Sequence, residues 1–162
     1  MFKIEKVTNN DQILIVDQLV KEIWPEIYTP IIGEEQVNYM LRTYQSLENI
    51  QKEISEGDQY FILLANNQPV GYTAYRDLAD EVYLSKLYLT NATRGKGYGN
   101  QVFSWYEQVA AGKKLRLNVN KFNQRAIAIY EHRGFKCVES CQNDIGSGFV
   151  MDDYVYLKDL SK

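Results

Sequence analysis

Only two cysteines and one histidine occur in the chain: Cys137, Cys141 and His132. These fall short of the four ligands that close an ordinary structural zinc site, so no metal is expected. On a regular strand the two cysteines, four positions apart, share a face about 13 Å apart. That is beyond disulfide reach, and both are expected as free thiols of a reducing compartment. No apolar run approaches the roughly 20 residues of a membrane-spanning helix. The opening Met1-Phe2-Lys3-Ile4-Glu5 lacks the apolar centre of a signal peptide. The expectation is a cytoplasmic protein with no membrane association. Neither sign of charge dominates, with 18 basic and 21 acidic residues and a net charge of −3. A dedicated nucleic-acid binder would show a basic stripe, so no nucleic-acid partner is expected.

Apolar residues, by contrast, are plentiful. They make up 45% of the 162 residues and include 13 tyrosines and 6 phenylalanines. That is enough for the core of one domain spanning residues 1–162. Residues 2–7 alternate as a first strand. Ile13, Val16, Leu19, Val20 and Ile23 recur at helical spacing. Pro25 and Pro30 are expected to end or kink that helix and to leave residues 24–30 irregular. Val37, Met40, Leu41 and Tyr44 give a second helix, and Ser46 caps a short third one through Ile50 and Ile54. Residues 60–65 and 70–75 form a hairpin. Glu81–Leu89 is a longer, largely apolar strand, as expected near the middle of a sheet. The following helix carries Val102, Phe103, Tyr106, Val109 and Ala110 on one face. It leads to a strand at residues 115–119, and this crossover makes the two strands parallel. Asn123 is a natural cap for the next helix and Gly134 a natural stop. Residues 135–140 and 149–157 close the chain as an antiparallel pair around a loop at 143–148. The fold class is α/β (α+β): a mixed sheet of about seven strands, with helices on both faces.

The stretch that organises the rest lies after the long strand: Arg94-Gly95-Lys96-Gly97-Tyr98-Gly99. Its alternating glycines omit Cβ atoms where the chain turns tightly or meets a ligand. The first turn of the helix beyond offers unpaired N–H groups and a favourable dipole, an anion site by construction. Arg94 and Lys96 add positive charge. A Walker loop would need Lys-Ser or Lys-Thr after the glycines, whereas Asn100-Gln101 follow Gly99 here. A dinucleotide fingerprint would need a third glycine at position 100 and an acid near Val119; neither is present.

Arg94-x-x-Gly97-x-Gly99 resembles the Gln/Arg-x-x-Gly-x-Gly/Ala signature of the GNAT superfamily of acyl-CoA N-acyltransferases. Downstream, the stretch from Leu117 through Asn118, Asn123 and Tyr130 to Gly134-Phe135 is similar to the family's strand–Asn–helix–Tyr–x–x–x–Gly–Phe segment. The likeness is good over residues 58–160. It implies the order β-α-α-β-β-β-α-β-α-β-β and acetyl-CoA as co-substrate, with transfer to the amine of a small molecule or peptide. The amides of Arg94, Gly95, Lys96, Gly97, Tyr98, Gly99 and Asn100 would hold the diphosphate. Leu87, Tyr88 and Leu89 would pair with the pantetheine arm, on an edge that the family opens by splaying its two central parallel strands. Asn123 would contact the same arm, cap its helix, or do both; Lys121 and Arg125 flank it and either meet the 3′-phosphate or are ordinary surface charges. Tyr130, seven residues after Asn123 and so on the same helical face, would be the general acid. A phenol remains protonated at neutral pH and can serve a departing thiolate.

The resemblance has one departure. Some members carry a glutamate base where this chain has Tyr83. Glu81, on the same strand face, is the candidate replacement through a water; otherwise it is a solvated strand end. His132 is expected at the surface. Acceptor selection is expected at residues 24–39, with Trp24, Glu26, Tyr28, Glu34, Glu35 and Tyr39, and at the 143–149 loop. Acids and aromatic faces there suit a cationic amine such as a polyamine, an amino sugar or a peptide N-terminus. The competing reading is a non-catalytic acyl-CoA-binding module. Either a monomer or a homodimer is compatible.

Overall fold

The computed structural model describes residues 1–161. Seven strands form one sheet: β1 (Phe2–Lys6), β2 (Gln59–Ala65), β3 (Gln68–Asp77), β4 (Glu81–Leu89), β5 (Lys114–Asn120), β6 (Lys136–Gly146) and β7 (Phe149–Asp159). Their order is β1-β2-β3-β4-β5-β7-β6. β4 and β5 are parallel, whereas β1 with β2, β2 with β3, β5 with β7 and β6 with β7 pair antiparallel. Three helices stand between β1 and β2, one more than in the order implied by the resemblance: α1 (Asn10–Ile32), α2 (Glu34–Arg42) and α3 (Leu47–Ser55). The other two are α4 (Tyr98–Val109), between β4 and β5, and α5 (Gln124–His132), between β5 and β6. Among the described residues no helix is long and apolar enough to cross a membrane.

The contacts gather into two interleaved units. One takes Met1–Arg76 and Lys86–Trp105; the other takes Asp77–Ser85 and Tyr106–Lys162. Each is assembled from two separate stretches of chain, so neither is a consecutive domain.

In the first unit, the core comprises Val16, Val20, Ile23 and Trp24 from α1, Ile50 from α3, and Tyr60, Ile62, Leu63, Tyr72 and Ala74 from the hairpin. α1 opens with a capping box in which Asn9 and Gln12 satisfy each other's backbone N–H groups. It then runs through Pro25 and Pro30 to Gly33, which corrects the expected break. Lys86 on β4 is buried among these residues. Its ammonium is held by Glu53 of α3 at 2.8 Å and lies 5.1 Å above the Tyr60 ring. A buried lysine persists only with such partners.

In the second unit, Val82, Leu84, Tyr106, Ala110, Leu115, Leu117, Val155 and Tyr156 are buried. β6 is an edge strand, and it runs through Gly146, so the expected 143–148 loop contracts to a turn at Ser147-Gly148. A register shift lies between Cys137 and Glu139, with Cys137 opposite Tyr156 and Cys141 opposite Asp153. Tyr156 and Asp153 are an odd number of residues apart, so the two cysteines face opposite sides of the sheet. That corrects the shared face expected of a regular strand. Both thiols are free.

Candidate active site

β4 leads into a 3-10 turn at Asn91–Thr93 and then into the glycine loop and α4. Arg94 behaves differently from the residues that follow it. Its backbone N–H is already spent on the Asn91 carbonyl at 3.2 Å. Its guanidinium donates to Asn91 Oδ1 at 2.8 Å and to the Leu89 carbonyl at 3.3 Å, and pairs with Glu26 at 2.6 Å. Arg94 therefore ties the loop to β4 and α1, and neither its amide nor its charge is left for a phosphate.

From Gly95 onward the donors are open. Among the described residues, the backbone N–H groups of Gly95, Lys96, Gly97, Tyr98, Gly99 and Asn100 have no hydrogen-bond partner. The first helical bond runs from Gln101 N–H to the Gly97 carbonyl at 3.3 Å. Gly95 and Gly97 adopt φ of +82° and +81°, and a Cβ at either would meet nothing within 4 Å. The loop is solvent-facing. Lys96 is exposed and carries no ion-pair partner among the described residues. The arrangement is a row of unspent donors at a helix start beside one free cation, which suits a diphosphate.

β4 supplies the neighbouring edge. Its ladder with β5 runs from Glu81 opposite Lys114 to Leu84 opposite Leu117 and no further, although β4 goes on to Leu89 and β5 to Asn120. Leu87, Tyr88 and Leu89 are half-buried. Tyr88 belongs to an aromatic cluster with Trp24, Tyr28 and Tyr72, and its hydroxyl lies 3.0 Å from that of Tyr28. Trp24 and Tyr28 are thus core residues rather than open faces for a cation. Among the described residues, Trp24 Nε1 and the Tyr72 hydroxyl nonetheless find no hydrogen-bond partner of good geometry, although both are buried. Burial pushes the Tyr72 phenol up, and the nearby indole N–H moderates the rise. Glu26, Glu34 and Glu35 are exposed.

In the second unit, Asn120 is buried and accepts the Phe122 N–H on Oδ1 at 2.9 Å, shaping the turn into α5. Asn123 caps α5, accepting the Ala126 N–H at 3.3 Å. Tyr130 is half-buried, with its ring 5.8 Å from that of Phe135. Lys121 is taken by Asp152 at 2.7 Å, while Arg125 is exposed. His132 is at the surface. Glu81 is not an available base. Both its oxygens accept from Arg116, at 3.0 and 2.9 Å, and this fork raises the Arg116 guanidinium above its ordinary value.

Fold and loop together define an α/β protein that presents a row of open backbone amides at a helix start. Comparison with known proteins narrows the class. The sequence model of the acetyltransferase (GNAT) domain matches residues 28–151, and the chain belongs to that family of N-acetyltransferases. It is 24% identical over 158 residues to the spermidine N(1)-acetyltransferase of Thermoplasma acidophilum, covering 93% of this chain and 95% of the relative. Its fold is similar to that of the PaiA N-acetyltransferase of the same organism, solved in complex with coenzyme A. The TM-score is 0.81 at 21% identity, over 98% of this chain and 99% of that one. The ribosomal-protein-S18-alanine N-acetyltransferase of Escherichia coli is also similar, with a TM-score of 0.73 at 16% identity, over 100% and 96% of the two chains.

Proposed function

We propose that the protein transfers an acetyl group from acetyl-CoA to a primary amine of a small cationic molecule or a peptide, by direct attack while both substrates are bound. The observation that carries this reading is the set of unspent amides from Gly95 to Asn100. In this reading those amides and Lys96 grip the diphosphate, and Leu87 and Tyr88 offer backbone groups to the pantetheine arm. The Leu89 carbonyl is already engaged by Arg94. Asn123 presents its side-chain Nδ2, which donates to nothing among the described residues. Tyr130 supplies the proton that the departing sulfur needs. A cationic amine is favoured by the spermidine in the relative's name and by the exposed acids Glu34 and Glu35; Glu26 is already taken by Arg94.

Titration calorimetry with coenzyme A tests the loop. Wild-type protein is expected to bind and Gly97→Glu to lose binding, because the glutamate places a negative charge among the donors and strains a φ of +81°. Equal binding by a folded Gly97→Glu protein would refute the diphosphate assignment. Thiol release from acetyl-CoA across a panel of amines then separates a transferase from a protein that only holds the ligand.

A further inference from the structure

A primary ammonium must shed a proton before its nitrogen can attack. Glu81 is held by Arg116 through both oxygens, and position 83 is a tyrosine. One carboxylate in the same unit has no assigned work. Asp153 on β7 is only 8% exposed. Its Oδ1 is shut off from solvent and makes no hydrogen bond among the described residues. The Asn118 side chain lies beside the carboxylate and works against the rise in its pKa.

The register fixes which face Asp153 occupies. Tyr83 is opposite Arg116, Arg116 is opposite Leu157, Asn118 opposite Val155 and Asn120 opposite Asp153. Side chains of paired residues share a face, as do alternate residues of one strand. Tyr83, Arg116, Asn118, Asn120 and Asp153 therefore lie on one face of the sheet. Asn118 is the first β5 residue beyond Leu117, where the ladder with β4 ends. Asp153 thus stands on the face that carries position 83, opposite Asn120 on the strand that continues past that ladder.

The groups around it leave it able to change charge. Asn118 and Asn120 face it from β5, and Cys141 and Glu139 from β6. Its neighbour Asp152 is negative, and Lys121 is positive but already committed to Asp152. Burial raises the Asp153 carboxyl above its ordinary value and Asp152 adds to the rise, against the nearby Asn118 amide and Lys121. A buried acid without a charge partner gains by taking a proton.

We propose that Asp153 accepts the proton that the acceptor ammonium gives up, in place of the glutamate this chain lacks at position 83. The proposal rests on the acetyl-transfer reading above. One ammonium proton passes to the Asp153 carboxylate and leaves a neutral amine. The nitrogen lone pair bonds to the carbonyl carbon and the carbon–sulfur bond breaks. Tyr130 gives its proton to the sulfur, and the second proton shed by nitrogen restores Tyr130. Asp153 returns its proton to solvent, so one proton is released per acetyl group transferred.

The test is Asp153→Asn, assayed by thiol release from pH 6 to 9 with acceptors from strongly basic spermidine to weakly basic glycinamide. For spermidine near pH 7 the variant is expected to lose about 10²-fold in kcat/KM, and to recover as rising pH deprotonates the amine without help. Glycinamide is expected to lose far less. Coenzyme A affinity by calorimetry is expected to stay within about twofold, and melting no lower than wild type shows the fold intact. A variant that tracks wild type across the pH range, or loses equally for both amines, overturns the role of Asp153 alone. Wild-type protein that acetylates no amine in the panel overturns the acetyl-transfer reading and this proposal with it.

Discussion

Arg94 and Lys96 carry the same charge two residues apart, and the fold sends them to different tasks. Arg94 points back into an Asn91–Leu89–Glu26 cradle; Lys96 stays in solvent. Sequence spacing marks both as cations near a phosphate. Only the partner Glu26, some seventy positions away, separates them, and no local pattern announces it. Glu81 is similar: its partner Arg116 is 35 residues on. Local signals were sufficient where chemistry is local. The Asn123 cap and the positive φ of Gly95 and Gly97 are of that kind. Tyr130 follows from the helical period, and its role can be separated from its packing. Tyr130→Phe keeps the ring against Phe135 and removes the proton. It is expected to lower kcat by roughly 10²-fold or more and to leave acetyl-CoA affinity unchanged. Steady-state kinetics beside calorimetry checks this, and unchanged turnover would remove Tyr130 from the chemistry.

At the scale of elements, α1 shows packing overriding a strong local rule. Each interior proline removes an N–H and costs a helix about 3 kcal/mol. Trp24 and Tyr28 are buried on the same stretch, and large side chains of this kind return about 1.5–3 kcal/mol each. The Tyr28–Tyr88 hydroxyl contact and the Glu26–Arg94 pair add further ties. Propensity predicts a break at these prolines, and the buried surface overrides it. β6 failed in the other direction. Polar residues suggested a loop, but an exposed edge strand needs no apolar alternation, and nearly all of β6 is exposed. β4, half-buried overall with Val82, Leu84 and Lys86 buried, kept its expected bounds of Glu81–Leu89. Its close approach to β3 gives a sharp prediction. A Cβ on Gly71 would lie 2.2 Å from the Tyr88 carbonyl oxygen and 2.9 Å from a Leu89 methyl. Backbone cannot yield as a side-chain tip does, so Gly71→Ala is expected to destabilise by about 3 kcal/mol or more, at the severe end for overpacking. Denaturant unfolding would show it as a lower midpoint, and a shift under about 1 kcal/mol would mean that β3 and β4 slide apart freely.

Across the whole molecule, the order of strands and helices was legible because hydrophobic period and turn residues repeat the same message. Clustering into two interleaved units was not, because it depends on which distant residues meet. Glu107 in α4 is such a meeting point within its unit. It accepts from Lys158 of β7 at 2.7 Å and from Arg133, just past α5, at 3.2 Å. Lys158 also donates to the Arg133 carbonyl at 2.7 Å. The Lys158 hydrogen bond, with the charges of Lys158 and Arg133, lowers the Glu107 carboxyl below its ordinary value. A depressed folded value means that the native state holds this proton less tightly than the unfolded chain does. The stabilisation is then complete above the unfolded carboxyl value of about 4.3. It is lost as pH falls through the lower folded value. Glu107 is part-exposed and water screens the cluster, so the effect is modest. Glu107→Gln is therefore expected to melt below wild type near neutral pH, with the two curves converging as the solution is acidified below about pH 4. Thermal melts across that range decide the matter: a constant gap would mean that Glu107 acts by shape and hydrogen bonding rather than by its charge.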